Sequence, residues 1–132
     1  MRGTVVCWRK QRRMQSSVPA TRRLLRDLRR TGRLERDPTG IELRDALGAA
    51  TVRDALIYAI DRALQYEAPV CRAIVERCDI CGDSTAEAAA ELGLSLRSLF
   101  RYRSRANEAI AAVIEQLLAR GVRHESGSFG AG

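Results

Sequence analysis

Residues Ser84 to Arg105 read STAEAAAELGLSLRSLFRYRSR, and the fold turns on them. Ser84 is a good helix N-cap, and Glu87 three residues on completes a capping box, so the first orphan amides of a helix are satisfied as the chain enters it. That helix is expected from about Thr85 to Leu92. Ala86, Ala88, Ala89 and Ala90 give it high propensity and a nearly smooth face for the close approach of a second helix. Gly93, which tolerates positive φ, is placed to end it. Ser95 is the next cap, and the chain restarts as a helix with Leu96, Leu99, Tyr102 and Ala106 on an inward stripe. Arg97, Arg101 and Arg105, four apart, then share an outward line with Ser98 and Ser104 beside it. Residues 96–105 hold four arginines and no acid. The pattern is a helix-turn-helix, residues 84–105, with a basic second helix.

The segment ELGLSLRSLFRYRSRA resembles the helix-turn-helix of bacterial transcription regulators, most nearly the sigma-factor region 4 type. The packing signature of that type is matched by Ala89 in the first helix, Gly93 in the turn and Leu99 in the second. The resemblance covers roughly residues 68–118. It implies double-stranded DNA as the partner, with RNA polymerase as a second candidate, and a recognition helix in the major groove. Arg97 and Arg101 are then the candidates for bidentate contacts to guanine, and Ser95 and Ser98 for base or phosphate contacts. Arg103 and Arg105 are placed for phosphates, as are the amides at the helix start near Ser84 and Thr85. One departure stands out: an early recognition-helix position that is usually polar in the family is Leu96 here. A plainer reading of the same residues is a helical module that binds an acidic protein partner or RNA polymerase without base readout, since charge on a helix is usually a solvated face.

The whole chain has 132 residues, 45% of them hydrophobic, with three prolines and a formal net charge of +7. That composition argues for one small all-α domain of about five to six helices with tails, and against wholesale disorder. Residues 1–36 hold twelve Lys or Arg against two acids, whereas residues 37–91 carry eleven acids against five arginines. The acidic middle would repel a phosphate backbone and confine DNA to one side of the domain. No run approaches the length of a signal peptide's apolar core or a membrane span, which points to a cytoplasmic protein with no membrane partner.

Residues 1–36 read as a basic N-terminal arm. Up to residue 18 there is no periodicity, and Met14 is a second candidate start. From Thr21, TRRLLRDLRR places Leu24, Leu25 and Leu28 on one side of a short amphipathic helix. This is either an arm that lies along phosphates or a partner, or a helix that docks on the domain and holds its arginines in solvent. Asp37-Pro38-Thr39-Gly40 is expected as the turn between arm and domain. The domain, 37–120, then continues with a short helix in IELRDALGAA and a longer one from Thr51 to Tyr66, where Thr51 and Asp54 make a cap signal. The next helix has Pro69 early and an apolar line of Val70, Ile74, Cys78 and Cys81. After the helix-turn-helix, residues 106–120 carry Ile110, Val113, Ile114, Leu117 and Leu118 on one face, either buried internally or pairing two copies as a homodimer. Gly121 is expected to end the order, leaving 121–132 as a flexible tail.

Cys78 and Cys81 form a CxxC with Cys71 upstream and His124 downstream, a set that invites zinc. All three cysteines fall on the apolar line of one helix, there is no second CxxC, and His124 stands in a Gly/Ser-rich segment, so no metal or other cofactor is assigned. Asp79 and Asp83 read as solvent-facing residues at a helix end. With no Gly-rich phosphate loop after a strand and no carboxylate cluster, no catalytic residues are assigned and the chain is not read as an enzyme. A complete sigma factor also needs an aromatic promoter-melting domain, and the first 66 residues contain only Trp8, Tyr58 and Tyr66. The helix-turn-helix and its resemblance imply a small, sequence-specific DNA-binding transcription regulator, with the helical module that binds an acidic partner or RNA polymerase as the alternative.

Overall fold

The computed structural model describes residues 17–125, with side chains described through Gly121. Among the described residues every regular element is helical, as expected. The helices are α1 (17–27), α2 (Thr31–Leu34), α3 (Pro38–Leu47), α4 (Val52–Leu64), α5 (Pro69–Val75), α6 (Thr85–Leu92) and α7 (Leu96–Glu125). Among the described residues the expected domain from residue 37 onward holds five of these helices, α3 to α7, in line with the five to six expected, and α1 and the short α2 precede it. No helix among the described residues is long and apolar enough to cross a membrane.

The chain starts its helices where its polar side chains cap them. Asp37 accepts the N–H groups of Thr39 and Gly40, and Pro38 occupies the first helical position, so the segment expected as a linking turn is the first turn of α3. Asp37 also takes the Arg23 guanidinium at 2.6 Å. Thr51 accepts the Asp54 N–H at 3.0 Å. The same helix end receives a second cap from afar: the Val52 and Arg53 N–H groups donate to the Glu35 carboxylate at 2.9 and 3.0 Å. Gly48, at φ 65, closes α3 in the left-handed region.

One core joins α1 through α5 to the long helix. Leu24, Leu25, Leu28 and Leu34 are buried in the same cluster as Leu43, Val52, Leu56, Ile60, Ile110, Ile114 and Leu117. The basic segment is therefore a docked helix of the domain, its leucines inside and Arg22, Arg26 and Arg29 outside. The apolar face of 106–120 is spent internally too, which is the first of the two options its pattern left open. A smaller cluster of Ile74, Cys78, Ala88, Ala89 and Leu99 lies under the helix-turn-helix, and Tyr102 packs against both.

Several expectations are corrected. Helix α7 runs unbroken from Leu96 to Glu125 through Gly121, so order does not end there. Gly121 is instead where α7 crosses α3 so closely that an added Cβ would overlap Ala46. Leu96 leaves the inward stripe and is 48% exposed, because the core is reached only at Leu99. After Val75 the α-helix widens into one π-turn, Glu76–Ile80. A π-turn takes more residues per turn than an α-helix, so the residues within and beyond it are rotated about the helix axis. Cys81 is thereby turned to the surface and Asp79 is turned inward. Residues 1–16 and 126–132, and the His124 side chain, lie outside the described residues.

Candidate nucleic-acid interface and adjoining cleft

The turn between α6 and α7 is built as its residues dictate. The Ser84 hydroxyl accepts the Glu87 N–H at 3.1 Å and the Glu87 carboxylate accepts the Ser84 N–H at 3.3 Å, a complete capping box. Gly93 sits at φ 67 with its N–H returned to α6. Ser95 then caps α7, accepting the Ser98 N–H at 3.1 Å, and its hydroxyl is hydrogen-bonded to that of Ser98 at 3.0 Å. Ala88, Ala89 and Leu99 are buried in one cluster with Ile74 and Cys78, and the small alanine side chains allow the two helices to approach closely.

The four arginines of α7 divide into two kinds. Arg103 donates to the buried carboxylate of Asp79 at 2.9 Å, and Arg105 donates to Glu67 at 3.0 Å. These bonds tie the second helix to the π-turn and to the α4–α5 loop. Arg97 and Arg101 are exposed one turn apart, with no carboxylate within ion-pair distance among the described residues; Arg101 lies 5.5 Å from the Tyr102 ring centre. Of the expected contact residues, Arg97 and Arg101 thus stand clear. Ser95, Ser98 and Ser84 are engaged in caps, Thr85 is half-buried, and Arg103 and Arg105 brace the helix.

Asp79 is the least accommodated group in this region. Burial pushes its carboxyl pKa up, and the Arg103 guanidinium offsets this only in part. Burial likewise raises the thiols of Cys71 and Cys78, which keeps them protonated and unreactive as small packing residues.

Beside the second helix lies a cleft of about 760 Å³, walled by α1, the π-turn and α7. Phe100 and Ser104, from the exposed side of α7, face Arg22, Arg26, Arg29 and Arg30 across it. Reading the sequence alone does not find this juxtaposition. The basic i, i+4, i+7 line of 22, 26 and 29 is legible, but its neighbour in space is not. Comparison with family models, with curated proteins and with solved structures gives no match.

Proposed function

We propose that this chain is a sequence-specific double-stranded DNA-binding protein of the transcription-regulator kind, which lays the first turns of α7 in the major groove. The observation that carries this is the pair Arg97 and Arg101: exposed, without an acidic partner, and one turn apart near the start of a helix braced from behind. Arginine in that position offers a rigid fork to guanine, and each such contact discriminates by about 1–3 kcal/mol. A braced helix adds to this by holding the forks in register with the bases. Arg105, with its side chain 70% exposed, keeps its reach to phosphate. The bases are reached by the face of α7 that carries Arg97 and Arg101, and the flanking phosphates by the basic exposed side of α1.

Selection of bound sequences from a random duplex pool at physiological salt tests this. The wild-type chain is expected to enrich a motif that Arg97→Ala/Arg101→Ala does not. Arg101→Ala alone should lose about 10-fold or more on the selected site and little on scrambled duplex, whereas Arg105→Ala should weaken both alike. Equal losses on both duplexes for Arg101→Ala would sink the base-reading role.

A second reading has its own observation. Leu96 and Phe100, four apart on the same helix, are 48% and 50% exposed, and an exposed apolar pair among arginines also fits a groove on an acidic protein such as RNA polymerase. Under that reading no motif is enriched, and capture of the polymerase depends on Leu96 and Phe100.

A further inference from the structure

Two large apolar side chains on α7 have no place in the core. Leu96 and Phe100 are 48% and 50% exposed, and neither is among the residues packed against the two buried clusters. A single exposed apolar residue needs no explanation. A pair four apart, on the helix that also presents Arg97 and Arg101 to solvent, does. At 3.6 residues per turn the exposed face of α7 has two flanks. Leu96 and Phe100 lie on one, Arg101 and Arg105 on the other, and Arg97 between them. The apolar flank is the one toward α1: Phe100 lines the cleft together with Arg22, Arg26, Arg29 and Arg30, whereas Arg97, Arg101 and Arg105 do not. Phosphates held on the α1 arginines leave an aromatic ring on that flank without a role.

From this arrangement we infer that the apolar flank of α7 reads the C5-methyl group of a pyrimidine in the major groove, with Phe100 as the main contact and Leu96 one turn before it. The inference rests on the DNA-binding reading and adds a specificity that arginine does not supply. Arginine reads guanine through O6 and N7, whereas the one alkyl group that a base presents in the major groove is the methyl at C5 of thymine or of 5-methylcytosine. That methyl is the outermost group on the pyrimidine's side of the groove, next to its own sugar–phosphate strand. An apolar side chain on the flank that faces phosphate-binding arginines is where such a group arrives. The spacing agrees. Arg97 and Phe100 are three residues apart, about 4.5 Å along the helix axis, and base pairs repeat about every 3.4 Å. The selected site should accordingly hold a guanine with a 5-methylpyrimidine one or two base pairs away.

The duplex site that the full wild-type chain enriches from a random pool provides the test. Each thymine in it is replaced in turn by deoxyuridine, which removes only the methyl, and each cytosine by 5-methylcytosine, which adds it. At a position beside a guanine the methylated form is expected to bind about three- to fivefold tighter, the worth of one methyl-sized apolar group taken from water. An effect in the first series makes thymine the natural source of the methyl, and an effect in the second makes it methylated cytosine. Phe100→Ala, at a half-exposed position outside the core, should bind the methylated and unmethylated forms alike. Arg101→Ala should bind both more weakly and keep their ratio. A selected motif in which no methyl changes wild-type affinity would overturn the inference and leave the DNA-binding reading in place. So would a methyl ratio in Phe100→Ala equal to that of the wild type, which would put the effect in the shape of the DNA. The absence of any enriched motif would overturn both, and polymerase capture that depends on Leu96 and Phe100 would then give these side chains to a protein groove.

Discussion

At the scale of single residues, the Asp79–Arg103 pair makes the helix-turn-helix a pH-dependent structure. Folding raises the Asp79 pKa, chiefly through burial. A carboxyl raised in the folded state contributes stability fully below its unfolded value near pH 4, and that contribution is lost as pH rises through the folded value. Arg103 limits the loss. Its removal leaves a buried charge uncompensated, so Arg103→Ala should cost about 3 kcal/mol at pH 7 and distinctly less at pH 4. Asp79→Asn should move the other way, gaining on the wild type as pH rises from 4 to 7. Urea unfolding of the three proteins at both pH values measures this, and a pH-independent loss in Arg103→Ala would remove the electrostatic account. The caps of this region are legible in Ser84, Glu87, Gly93 and Ser95, because a cap is written within four residues of chain. Asp79 is not, because its inward turn depends on the π-turn, which no local propensity announces.

At the scale of elements, glycine carries two meanings that look alike in a sequence. Gly121 resembles a helix stop followed by a tail, and it proves to be a contact point between α7 and Ala46 of α3. The distinction lies in a partner 75 positions away along the chain, which spacing does not reveal. Leucine at Gly121 would improve helix propensity by up to about 1 kcal/mol, yet it must push the two helices apart. Gly121→Leu is therefore expected to destabilise by about 1–3 kcal/mol in thermal or urea unfolding. Gly32 provides the opposite case, lying in exposed α2 with only the end of the Arg36 side chain, at 3.6 Å, near its absent Cβ. Gly32→Ala should stabilise by about 0.5–1 kcal/mol. A neutral or stabilising Gly121→Leu would mean that α3 and α7 are not held at this distance in solution. The helix pair itself is readable because alanines, turn glycine and Leu99 all act within one short segment, whereas helix-on-helix distance is a property of two.

At the scale of the whole molecule, the charge map and the packing map divide the chain differently. Charge changes sign near residue 36, which marks a basic arm and a separate domain, and the Asp37-Pro38 pair looks like the joint. Packing runs straight across that joint. Leu24, Leu25, Leu28 and Leu34 are buried with the residues of α3, α4 and α7, Arg23 is paired with Asp37, and Glu35 caps α4. Charge lies on the outside of an amphipathic helix and so reports what the helix shows to solvent, not what it packs against. Four buried leucines at about 1.5–3 kcal/mol each are comparable to the total stability of a domain of this size. A chain beginning at Asp37 is thus expected to lose cooperative unfolding, seen as a broad, shallow melt by circular dichroism in place of a single sharp transition. Under the proposed DNA-binding function it should lose selective duplex binding with it, although Arg97 and Arg101 remain, because the scaffold that orients α7 is gone. The full chain carrying Arg22→Gln and Arg26→Gln keeps those leucines and should melt like the wild type. If the shortened chain melted sharply near the wild-type temperature, α1 and α2 would be an appendage after all, and the wall they form beside α7 would be free to move.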